Sequence, residues 1–354
     1  YDTNTSDITT TIINSGNLEL TEATIKSDDS MGISNIESGK IVITSGKVNT
    51  VNTAVRNVGI LDNGDSSSII INGGELESTS GNTVSNSSGG GLITINNGKM
   101  SRPNDGDNPT VINLGKKIII NGGTITSADD RAVHQYTGGG TTIINGGTMS
   151  GEKGAGCDSG ELIIKGGSIT GNVGFGVYTG SATITIGDSS KTPSSTPTIT
   201  GKEAGVSSAS GKIYFYSGTI KGPQNKAIVG TVTAKASSYE IQRVYDGTNE
   251  IATLIKGNYK NITSNRFYET LGLATANSAT GSTINVINNV TEEADISIAS
   301  GKTLIIDLNG KTTTLSNASI INNGTLTIQG TSGEINSTKN VVQNGTESNS
   351  NASL

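Results

Sequence analysis

The chain has 354 residues, 32% apolar and 15% charged, with 49 Gly, no Trp and three Phe. Large aromatic cores are excluded, and a disordered chain would carry more charge and less Ile and Val. A net charge of −6 supplies no basic stripe, which argues against nucleic acid and anionic membrane surfaces.

No apolar run reaches the roughly 18 residues of a membrane helix, so no membrane insertion is expected. The chain begins at Tyr1 without a charged-then-apolar leader, as a processed protein or an excised fragment would. From there a short β-type run ends repeatedly in glycine, a polar residue and an apolar residue. The motif is read at Ser15-Gly16-Asn17-Leu18, Ser45-Gly46-Lys47-Val48, Gly73-Gly74-Glu75-Leu76, Asn97-Gly98-Lys99-Met100, Gly122-Gly123-Thr124-Ile125, Gly146-Gly147-Thr148-Met149, Gly166-Gly167-Ser168-Ile169 and Ser217-Gly218-Thr219-Ile220. Successive key glycines from Gly16 to Gly167 fall 30, 28, 24, 25, 24 and 20 residues apart. A repeat of that length means stacked coils, each burying a few inward side chains against its neighbours. Variable length with regular strands fits a right-handed parallel β-helix, whereas a left-handed hexapeptide helix demands multiples of six residues.

A second apolar column follows the first by seven or eight residues: Val55, Val84, Val133, Cys157, Val177 and Ile228. Glycines match at four positions when Gly151 to Gly160 is set against Gly171 to Gly180, offset by 20 residues. In this register Cys157, the single cysteine, is a small core residue aligned with Val133 and Val177, and it makes no intrachain disulfide. His134 points outward, in a row with Asp158, Tyr178 and Ser207. Inserted turns are read at Ser101 to Pro109 and at Asp188 to Pro197.

After Val232 the glycine turns stop and Tyr239, Tyr245, Tyr259, Phe267 and Tyr268 gather, which marks a junction over 233–282. Phe267 to Ala276 is predicted to form a short amphipathic helix that covers the open end of a stack. The repeat grammar restarts at Thr283. Ile306-Asp307-Leu308-Asn309-Gly310-Lys311, then Asn323-Gly324-Thr325-Leu326-Thr327-Ile328, resemble the start of a stack in large repetitive bacterial surface proteins that carry pectate-lyase-like β-helix domains. The Gly-Gly-Thr/Ser-Ile turns match as well. The resemblance implies an extracellular stalk or adhesin, one segment of a longer chain.

The expected fold is therefore all-β: a right-handed parallel β-helix of about nine coils over 1–232, the junction, and a second, incomplete β-helical segment over 283–354. The C-terminal coils read as unfinished, so the natural protein is expected to continue, or copies to join end to end.

The strongest chemical candidate is Ser127 to His134, where Asp129 and Asp130 stand beside Arg131 and the only histidine. Paired carboxylates with such neighbours suit acid–base chemistry or calcium and uronate binding, as in β-helix lyases and hydrolases. A solvated turn explains them more simply, and Glu152 is the only further acid nearby. Ser27-Asp28-Asp29 and Asp105-Gly106-Asp107 lack the spaced ligands of a calcium loop and read as turns. Gly89-Gly90-Gly91 lacks the Lys-Ser/Thr of a phosphate loop. Asn261-Ile262-Thr263 and Asn289-Val290-Thr291 are glycosylation triplets that an Asn/Ser/Thr-rich chain produces by chance. Tyr178, Tyr214 and Tyr216 are too scattered to establish a sugar platform. Thr124, Thr126, Thr148 and Thr170 give a partial row of the kind an ice-binding face requires.

The expectation is a non-enzymatic, secreted or wall-attached bacterial segment acting as stalk or binding surface. It has no catalytic, cofactor or metal residue, and its partner is a surface glycan, a protein or another copy. The alternatives are a polysaccharide lyase or glycoside hydrolase using Asp129, Asp130 and His134, and a self-assembling fibre subunit.

Overall fold

A computed structural model describes residues 10–59, 67–104, 106–136 and 140–345. They divide into two compact units, 1–236 with 243–253, and 237–242 with 254–354. The first unit is a parallel β-solenoid of three sheets. Its first sheet has ten strands, from Thr10–Asn14 to Ile228–Val229, and its second has ten, from Asn17–Leu20 to Val232–Lys235. The third runs from Thr24–Ser27 to Thr219–Gly222, where Glu250–Lys256 joins it antiparallel and ends the parallel ladder.

Ten strands in each of the first two sheets make one turn more than the glycine spacing predicts. The additional turn is the last, Ile228–Val229 with Val232–Lys235, beyond the corner at Gly218. A side chain at Gly46 would meet Ala23, and one at Gly218 would meet Pro197, so two turns place Ala and Pro where the others place glycine. Gly16 belongs to a different corner, because Asn17 pairs with Lys40 and thus stacks Gly16 beside Gly39.

Period-two alternation points one side chain in and the next out. In the second sheet this lays isoleucine over isoleucine: Ile43, Ile71, Ile95, Ile120, Ile144, Ile164 and Ile186 form one inward column, all buried. Each contributes about 1.5–3 kcal/mol relative to exposure. The doubled glycines serve two needs. Gly147 has φ +90°, which an L side chain rarely adopts, and a Cβ on Gly146 would fall 2.6 Å from the Asn121 carbonyl oxygen of the turn beneath.

The corner between the first and second sheets is held by a buried amide ladder. Asn14, Asn35, Asn57, Asn86 and Asn113 each donate from Nδ2 to the side-chain oxygen of the next turn, at 2.8, 3.0, 3.2, 3.0 and 2.7 Å, and the last acceptor is Gln135 Oε1. Thr142 Oγ1 also donates to Gln135 Oε1, at 2.9 Å. Cys157 and Thr179 continue this column, since Gln135 pairs with Cys157 and Cys157 with Thr179. The expected register is corrected here: Ala155, not Cys157, stands between Val133 and Val177. Cys157 is nevertheless fully buried, and burial pushes its thiol up to about 12.

The second unit stacks the same grammar in three sheets, with Ser282–Val286, Thr303–Asp307 and Thr325–Gln329 parallel in the largest. Its helix covers Leu271–Asn277, starting later than the sequence predicts because Arg266–Tyr268 is a strand paired with Tyr259–Asn261. Thr270 caps it by accepting from the Leu273 N–H at 3.2 Å. Leu271 and Ala274 enter the core with Tyr259, Ile284 and Ile296. Asn322 donates to Asn344 at 2.6 Å, a second amide ladder at the equivalent corner. Among the described residues no helix is long and apolar enough to cross a membrane.

Candidate functional site

The first sheet turns outward a column of Ile112, His134, Gly156, Tyr178 and Ser207. Around it collect most of the residues that the sequence marks for chemistry. The expectation that His134 lies on the surface is overturned, because only 4% of the residue is exposed. The reason is Gly156 on the next turn. It has no side chain, and the arm of Arg131 lies in its place, with Nε 2.5 Å and Cδ 2.7 Å from where a Cβ would stand. Tyr136 packs edge-on against the imidazole at 5.1 Å between centroids. Asp158 accepts from His134 Nε2 at 3.1 Å, but it follows Cys157 in the chain and does not share the His134 column.

Asp129 and Asp130 do not converge on His134. Asp129 accepts from the fully buried Arg102 at 2.6 Å and also from the Gly106 N–H, which ties the inserted turn down. Arg102 Nε and Nη2 are buried without partners among the described residues. Asp130 accepts from Arg131 Nη1 at 3.1 Å, and burial raises its carboxyl above the usual range against the pull of Arg131. Glu152 reaches Lys153 at 3.8 Å.

Burial, with Arg131 nearby, lowers His134 from 6.5 to about 4, although Asp158 opposes the shift. At neutral pH the contact with Asp158 is therefore a hydrogen bond from an uncharged ring. The unfolded chain takes up this proton first as pH falls, so stability is full above pH 6.5 and declines toward pH 4. The expected loss is on the order of 3 kcal/mol across that window. Guanidinium unfolding at a series of pH values checks it: the native chain should lose one proton's worth of slope more than His134→Gln, and parallel curves would contradict the assignment.

Tyr178 stacks on Phe175 at 5.1 Å between centroids, and Lys153 stands beside Arg131 in the neighbouring column. Sequence reasoning missed Phe175, on the same strand as Tyr178, the packing of Tyr136 on His134, and the arm of Arg131 that the register lays over Gly156. Tyr214 and Tyr216 stack at 6.3 Å on the second sheet and are not part of this cluster. The threonine row is fuller than expected: Thr124, Thr148, Ser168, Thr198 and Thr219 form one column of the third sheet, and Thr126, Ser150, Thr170 and Thr200 another.

Among the described residues no three His, Cys, Asp or Glu side chains are grouped as a metal ion requires. Asp28 pairs with Lys26 at 3.2 Å and Asp29 accepts from Ser30 at 3.0 Å. Asp105 lies outside the described residues. Gly90 closes a tight turn by donating to Ser87 O at 2.7 Å. Comparison with protein-family models, with curated proteins and with solved structures finds no match for the chain.

Proposed function

We propose that this chain is an extracellular segment of a bacterial surface protein that works without catalysis, as a stiff stalk presenting a lateral binding surface. The reading rests on the uninterrupted three-sheet stack of the first unit, cross-linked turn to turn along both its isoleucine columns and its amide ladder. Ten turns at about 4.8 Å give that unit a length on the order of 45 Å. The titratable side chains that an enzyme would deploy, Asp129, Asp130 and His134, are each held by a neighbour. The kinship in motif with bacterial β-helix surface domains supports the location and the adhesive role.

Each turn touches only its neighbours, so force applied along the stack is resisted by one layer after another. Single-molecule extension of the chain should show successive small unfolding steps from the first unit. Extension at low force without steps, as an unstructured chain gives, would overturn the stalk reading.

A further inference from the structure

We infer that the outward face of the first sheet around Gly156 binds a neutral, hydroxyl-rich oligosaccharide, an inference that rests on the adhesive reading and names its ligand class. Across three successive turns the face carries Tyr136 packed on the buried His134, the arm of Arg131 over Gly156, and Tyr178. Phe175 stacks on Tyr178 and Tyr136 packs on His134, so an aromatic pair lies on the turn before Gly156 and another on the turn after it. The three turns span about 10 Å, and aromatic faces of this kind take the C–H faces of sugar rings.

The polar groups complete the match. Arg131 spends one terminal nitrogen on Asp130 and its Nε is buried, which leaves Nη2, without a hydrogen bond among the described residues, as the donor this face offers. Asp158 is tied by one oxygen to His134 and has a side chain 36% exposed. Donor and acceptor thus stand side by side, as a sugar hydroxyl requires, because it both gives and takes a hydrogen bond. The arm of Arg131 is already fixed across Gly156, which reduces the ordering cost on binding. Asp130, Glu152 and Asp158 outweigh Arg131 and Lys153, so the local charge disfavours an acidic polymer. Among the described residues, only Tyr214 and Tyr216 of the outward aromatic side chains in the first unit's repeats stand elsewhere, at the second sheet.

The test is affinity electrophoresis of the whole chain in gels containing mannan, β-glucan, galactan or polygalacturonate, with polymer length measured after incubation. At least one neutral polymer should retard the chain, and Tyr178→Ala should weaken that binding about tenfold, while Tyr214→Ala leaves it unchanged. Tyr178 is half-buried, and unchanged melting of Tyr178→Ala confirms that the variant folds; Phe175→Ala serves in its place if it does not. Retardation by no neutral polymer, retardation that survives the Tyr178 or Phe175 replacement, or stronger retardation by polygalacturonate would overturn the inference. Shortening of a polymer would overturn the non-catalytic reading, a separate outcome from failure to bind.

Discussion

Replacing Asn86 with alanine should destabilise the first unit by about 3–5 kcal/mol, although it deletes only a small polar side chain. Asn86 sits mid-ladder. Its Oδ1 accepts from Asn57 at 3.2 Å, and its Nδ2 donates to Asn113 Oδ1 at 3.0 Å and to the Gly91 carbonyl at 3.2 Å. Removing it takes the acceptor from Asn57 Nδ2 on the preceding turn and one of two donors each from Asn113 Oδ1 and the Gly91 carbonyl, in a dry interior where each unmade bond costs about 1–3 kcal/mol. Asn121→Ala is the matched control. Asn121 belongs to an exposed amide row, bonded to Asn96 at 2.7 Å and to Asn145 at 2.8 Å, and water replaces what it loses. That change should stay within about 0.5 kcal/mol. Denaturant midpoints of the two variants decide the matter: equal shifts would show that the buried ladder adds nothing to the stack.

Gly147→Val should cost about 3 kcal/mol or more, from two causes acting together. The residue holds φ +90°, where a β-branched side chain is strained. Its Cβ would also stand 2.8 Å from the Gly123 carbonyl oxygen and 2.9 Å from the Gly122 carbonyl carbon, both backbone atoms of the turn beneath. Relief requires prising two turns apart, which breaks ladder bonds in all three sheets. Gly180→Ala has open space around its Cβ and should leave the melting temperature nearly unchanged. If Gly147→Val melts with Gly180→Ala, the corner glycines are not what sets the close stacking.

The glycine corners were legible because one residue type answers both a left-handed φ and a close approach of backbone, so the pattern survives changes in coil length. The amide ladder was equally present, as an aliphatic residue, any residue and then Asn at Val84-Ser85-Asn86 and Val111-Ile112-Asn113. It went unread because asparagine also fills turns and outward rows here, and only the register separates the buried column from the others. The misplacement of Cys157 has a specific cause. Gly151 does pair with Gly171, but the turn that follows is two residues shorter in the first case, so Ala155 and not Cys157 meets Val177. A count from the preceding glycine cannot register that change. The burial of His134 was hidden for another reason: it depends on the absent side chain of Gly156 and on the arm of Arg131, which crosses from His134's own strand to the next turn.

The claim that this chain presents a surface and performs no chemistry is tested most directly by prolonged incubation with neutral and uronate-containing polysaccharides. Chain length and new reducing or unsaturated ends are followed, with Asp130→Ala and His134→Gln alongside. The account predicts unaltered polymers with the native chain and with both variants. Shortened polymers with the native chain, restored to full length by either replacement, would contradict it.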